Sequence, residues 1–89
     1  MKQTGSYAEA KHALMNAEVE LSQNCMKLIL RDASPRECAT YVTDGLEKFL
    51  IQYADDMSMT HRELFTLMCS ADRVETRMYE ALGIRKPTR

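Results

Sequence analysis

Three times in this chain a Ser or Thr is followed three residues later by Glu, just ahead of a periodic apolar run. The pairs are Ser6 with Glu9, Ser34 with Glu37, and Thr60 with Glu63. Ser/Thr-x-x-Glu is the capping box. Its two side chains satisfy backbone N–H groups that the first turn of a helix leaves unpaired. Pro35 follows Ser34 at the first helical position, where a missing N–H costs nothing. Three such starts, with no β alternation and no internal repeat, predict three helices over residues 7–31, 35–57 and 60–82.

The apolar positions say how these helices pack. In the first, Tyr7, Ala10, Leu14, Ala17, Leu21, Cys25 and Leu28 recur in near-heptad spacing. In the second, Ala39, Val42, Leu46, Phe49, Leu50, Tyr53 and Met57 form one face, with Asp44, Lys48 and Asp55 turned away. In the third, Leu64, Leu67, Met68, Ala71, Met78 and Leu82 step by threes and fours. Gly83 offers a left-handed C-cap, and Pro87 prevents the helix from resuming. The turns are short, and short connections favour antiparallel neighbours. The expected architecture is all-α: one domain over 1–89, a three-helix up-down-up bundle with a basic tail at 84–89. Gly45, inside the second helix, costs about 1 kcal/mol relative to Ala, so close packing or a bend is expected there.

The first helix carries more apolar surface than one face requires. Ala8, Met15, Val19, Met26 and Leu30 form a second stripe, placed about a third of a turn from the first by the ~100° step of a helix. Contact with a second neighbour inside the bundle would use it, and so would docking onto another chain. Tyr41 and Ile51 likewise fall outside the apolar face of the second helix. A core built from 89 residues is thin, so assembly with a further chain is expected to contribute to stability. The sequence contains seven Met, a residue that fills irregular cores and lines adaptable binding surfaces.

Charge excludes some functions. The net charge is -1, which gives no global attraction to nucleic acid or to an anionic membrane. Residues 1–57 hold six Lys/Arg against nine Asp/Glu, and residues 58–89 hold six against four. No run approaches the ~20 apolar residues of a membrane span, and the start of the chain lacks the apolar run of a signal peptide. Three Cys, widely spaced and odd in number, do not form a disulfide framework; they point to a reducing, cytoplasmic setting. Two charges break the pattern. Glu18 lies near the main face of the first helix and Glu75 near the middle of the third, where a lone buried carboxylate would cost several kcal/mol or take up a proton.

Catalytic and metal-binding signatures are missing. His12 and His61 stand on different helices, with no His or Cys pair at ligand spacing. No nucleophile elbow or glycine-rich phosphate loop is present. The acidic pair Asp55–Asp56 falls in a turn, where solvation is the ordinary fate. Neither an enzyme nor a cofactor is expected.

The primary expectation is a small cytoplasmic protein-binding module of adaptor, chaperone or inhibitor type, and a homodimer. It would dock through Met15, Val19, Met26, Leu30, Tyr41 and Ile51 without catalysis. A second reading divides the C-terminal third. A helix ending at Met68, a turn at Cys69–Ala71 and a recognition helix capped by Asp72 would make a helix-turn-helix. Arg73, Thr76 and Arg77 would then face DNA, with Arg85, Lys86 and Arg89 on phosphates. The string Val74-Glu75-Thr76-Arg77, followed by Ala81-Leu82-Gly83-Ile84-Arg85, resembles the end of the LuxR-type DNA-binding domain. That resemblance covers about a third of the chain and implies a transcriptional regulator. It departs from the family in having no glycine at the turn and in a Glu63-to-Val74 spacing one residue short. The steps Leu67, Ala71, Val74 and Met78 also run through the proposed turn without interruption, which favours a continuous helix.

Overall fold

The computed structural model describes residues 6–86. They form three α-helices and no strand: α1 (Ser6–Leu30), α2 (Pro35–Ala54) and α3 (His61–Leu82). Each packs against both others. Ser6 near the start of α1 meets Ser58 in the α2–α3 turn, while Cys25 near its end meets Cys38 at the start of α2. Thr43 of α2 bonds Glu75 and Tyr79 of α3. So α2 runs antiparallel to both neighbours, α1 and α3 run parallel, and the bundle is up-down-up.

Two of the expected capping boxes are made in full. At α2 the Glu37 N–H donates to Ser34 Oγ at 3.1 Å and the Ser34 N–H to Glu37 Oε1 at 2.8 Å. At α3 the matching distances between Glu63 and Thr60 are 3.0 and 2.9 Å. The third differs: Ser6 is already helical, and its hydroxyl bonds that of Ser58 instead of capping α1. α3 ends as expected on Gly83, at φ 74°. The Gly83 N–H reaches Glu80 O and the Ile84 N–H reaches Tyr79 O, each at 3.0 Å, which satisfies two orphan carbonyls in a Schellman motif. α1 ends the same way on a less suited residue, Asp32 at φ 70°. Pro87 lies outside the described residues.

α2 is shorter than expected, stopping at Ala54 rather than at residue 57. The Asp56 carboxylate accepts the Ser58 N–H at 2.9 Å and the Ser58 hydroxyl at 2.6 Å. That local turn competes with another helical turn and leaves Met57 almost wholly exposed instead of on the α2 face. The same bonds from Ser58, its hydroxyl first, hold the Asp56 carboxyl below its ordinary 3.8.

The core follows the main stripes. Ala10, Leu14, Leu21 and Cys25 of α1 meet Cys38, Ala39, Val42, Leu46 and Phe49 of α2, and Leu67, Ala71, Val74, Met78 and Tyr79 of α3. Gly45 is the place of closest approach. A Cβ added there would stand 2.7 Å from Leu21 Cδ2, so close packing explains this mid-helix glycine. Cys25 and Cys38 face each other across α1 and α2, each thiol 3.9 Å from the other's backbone carbonyl. Burial first, then the neighbouring Cys38 thiol, pushes Cys25 up to about 11.

Candidate functional site

The second stripe of α1 is not used by the bundle. Met15, Val19, Met26 and Leu30 are 65, 57, 66 and 83% exposed. At ~100° per residue, the mean direction of this stripe is roughly 150° from that of the buried face. This corrects the third of a turn expected from the sequence: the same step, averaged over the whole buried face, puts the stripe nearly opposite the core. α2 and α3 both pack on the inner side. Ile29, half exposed, widens the stripe at its C-terminal end. The result is an apolar band along one helix, bordered by the exposed Glu20 and Lys27.

The α2 contribution splits. Ile51 is 70% exposed, as a contact residue would be. Tyr41 is not free: it packs on the core, and its hydroxyl accepts a 2.7 Å hydrogen bond from Asn24 Nδ2. A tyrosine ring on the flank of α2 is long enough to bridge to α1, which a wheel of α2 alone does not reveal.

A second apolar region, not singled out in the sequence, opens between α2 and α3. Leu46 and Leu50 face Phe65, Met68 and Cys69 around a groove of about 550 Å³. Phe65 and Met68 are 66 and 54% exposed. Met68 therefore does not join the core face assigned to it; it is one residue, ~100°, past the fully buried Leu67. The i, i+3, i+4 spacing of Phe65, Met68 and Cys69 was the available signal.

One end of this groove is polar. Glu75, only 9% exposed, is held from α2 by Thr43 and from the segment after α3 by Lys86. The Thr43 hydroxyl donates to Glu75 Oε2 at 2.6 Å, and the Tyr79 hydroxyl stands 2.6 Å from Thr43 Oγ1. Since Thr43 has one proton, Tyr79 donates to Thr43 and Thr43 to Glu75. Lys86 Nζ lies 3.0 Å from Glu75 Oε1 and also pairs with Asp72. Burial alone would lower the Lys86 pKa, but hydrogen bonds and charge from Asp72 and Glu75 outweigh it and raise the pKa above its ordinary 10.5. Glu18 is resolved similarly. Both its oxygens accept from Arg77, at 3.1 to 3.2 Å, in a bidentate pair that ties α1 to α3.

These pairings bear on the residues assigned to DNA. α3 runs unbroken from His61 to Leu82, so Cys69–Ala71 is helix rather than turn, and Asp72 caps nothing. The resemblance to the end of a LuxR-type domain therefore does not extend to its helix-turn-helix geometry. The stepped apolar positions bury without interruption through Leu67, Ala71, Val74 and Met78, and that burial overrides a break. Arg77 is engaged by Glu18, and Lys86 by Asp72 and Glu75, with Thr76 Oγ1 3.4 Å away. Arg73 and Arg85 are exposed. Arg89 lies outside the described residues.

Among the described residues no group of His, Cys, Asp and Glu is placed to hold a metal ion, and no helix is long and apolar enough to cross a membrane. His12 and His61 are both exposed. Comparison with family profiles, curated proteins and solved structures finds no match to this chain.

Proposed function

We propose that this chain is a small cytoplasmic protein-binding module, of adaptor, chaperone or inhibitor type, that docks through the outer face of α1 without catalysis. The observation that supports it is the exposure of Met15, Val19, Met26 and Leu30 on the side of α1 opposite the core. A row of large apolar side chains exposed along one helix face favours an interaction site. An exposed helix stripe with two Met among four side chains suits a helical or adaptable partner. Ile51, Phe65 and Met68 add apolar surface on the far side of the bundle.

The test uses chain labelled at its methionine methyl groups and mixed with soluble extract of the host cell. Selective broadening of Met15 and Met26, lost in the Val19→Glu variant, is the expected result. Val19 is exposed, so that variant retains its helical circular dichroism. An unchanged spectrum in extract from a chain whose mass stays that of a single copy, or a response to duplex DNA that falls steeply with salt, overturns the proposal.

A further inference from the structure

We infer that the outer face of α1 pairs with the same face of a second copy, antiparallel, in a two-fold dimer. This rests on the proposed docking role of that face and names its occupant. The first argument is the spacing. Met15 and Leu30 are equidistant from the midpoint between Ser22 and Gln23, and so are Val19 and Met26. A stripe symmetric about its centre is self-complementary under a two-fold axis perpendicular to the helix, which is what an isologous interface requires. Met15 then packs against Leu30 of the second copy, and Val19 against its Met26. Ser22 and Gln23, both exposed, sit beside the axis; Ser22 is small, and Gln23 brings a polar amide to the centre of the seam.

The second argument is charge. By the ~100° step, Glu20 and Lys27 border the stripe on the same flank. A two-fold axis perpendicular to the helix keeps that flank on the same side in both copies. Reversal of direction brings Glu20 of each copy nearly level with Lys27 of the other, giving two flanking ion pairs of opposite sign. In a parallel pair, residues of like number stand level, and no basic side chain of α1 is level with Glu20. On the other flank Glu18 is neutralised within its own chain by Arg77, so it brings no unpaired charge to the seam. α2 and α3 pack on the opposite side of α1, and α3 comes near the seam at Met15, where Lys11 and Arg73 line the same shallow groove.

The experiment is a light-scattering mass measurement over a concentration series, with charge reversals as the specific probe. Wild type is expected to move from the 10.2 kDa chain toward twice that mass as concentration rises. Glu20→Lys alone and Lys27→Glu alone each set like charges against each other twice per dimer, and each should raise the dissociation constant about ten-fold or more. The combined Glu20→Lys/Lys27→Glu variant should return to within about three-fold of wild type, a recovery only a cross-chain pair predicts. A single-chain mass at every concentration overturns the dimer and leaves the docking role to the extract experiment. A dimer weakened by Val19→Glu but indifferent to the charge reversals overturns the antiparallel pairing while keeping the stripe as the contact. A dimer indifferent to Val19→Glu overturns both.

Discussion

Lys86 Nζ lies 3.0 Å from Glu75 Oε1, so the segment after α3 folds back to neutralise a carboxylate near the α2–α3 seam. Glu75 is nearly buried and Lys86 is itself largely covered. Removing the cation leaves a carboxylate with the Thr43 hydroxyl as its remaining bonded support. Lys86→Met should destabilise the fold by about 1–2 kcal/mol in urea unfolding, less than a fully buried pair because water reaches this site. Glu75→Gln keeps a hydrogen-bonding group at the end of the Tyr79–Thr43 chain and should cost less.

The same pair sets a pH dependence. The Lys86 pKa is raised in the folded state, so its contribution is fully present below the ordinary 10.5 and is lost as pH rises through the raised value. Cys25 acts in the same direction over an adjoining range. Its thiol ionises near 9.0 when unfolded and about 11 when folded, so stability falls as pH climbs between the two. Urea midpoints should be level from pH 7 to 8.5 and decline from pH 9 upward. In Cys25→Ala the decline should begin later.

Thiol reactivity follows from the same burial. Cys25 and Cys38 are buried and Cys69 is half-buried beside the α2–α3 groove. At pH 8, one thiol per native chain should react quickly with a disulfide reagent, and all three should react in denaturant. Cys69→Ser should remove the fast phase.

Much of the fold was legible in the sequence, and the exceptions have local causes. The boxes at Ser34 and Thr60 are closed by side chains only three residues apart, which a local pattern does encode. The Ser6 hydroxyl found Ser58 across the bundle, a contact that no local pattern encodes. The Asp56–Ser58 turn ended α2 early and exposed Met57. The stripe at Met15, Val19, Met26 and Leu30 was readable as spare apolar surface, but that neither α2 nor α3 covers it became clear only once both neighbours were placed. The bond that engages Tyr41 was hidden because its partner, Asn24, lies on another helix. The support for Glu75 was hidden for a like reason: Thr43 lies on α2 and Lys86 in the segment after α3.

Gly45 and Leu21 should show strong coupling. Gly45→Ala gains about 1 kcal/mol of helix propensity. It also drives a methyl to 2.7 Å from Leu21 Cδ2 in a packed core, and overpacking costs about 1–3 kcal/mol. A net loss near 1 kcal/mol is expected. Leu21→Val removes a methylene at the point of conflict, so the double variant should be clearly more stable than the sum of the two single changes predicts.

Asp32, which ends α1 at φ 70°, should tolerate glycine better than itself. Asp32→Gly relieves left-handed strain at a Schellman position and should stabilise the fold by about 0.5–1 kcal/mol. An unchanged or lowered urea midpoint would show that the aspartate contributes there in some other way.

The outer face of α1 is tested most directly by methionine methyl spectra recorded through a dilution series. Met15 and Met26 report on that face, Met57 and Met68 on other exposed surface, and Met59 and Met78 on the core. If α1 docks through its outer face onto a second copy, Met15 and Met26 shift together with concentration while Met59 and Met78 hold still. Spectra that do not change with concentration, or shifts confined to Met57 and Met68, would contradict it.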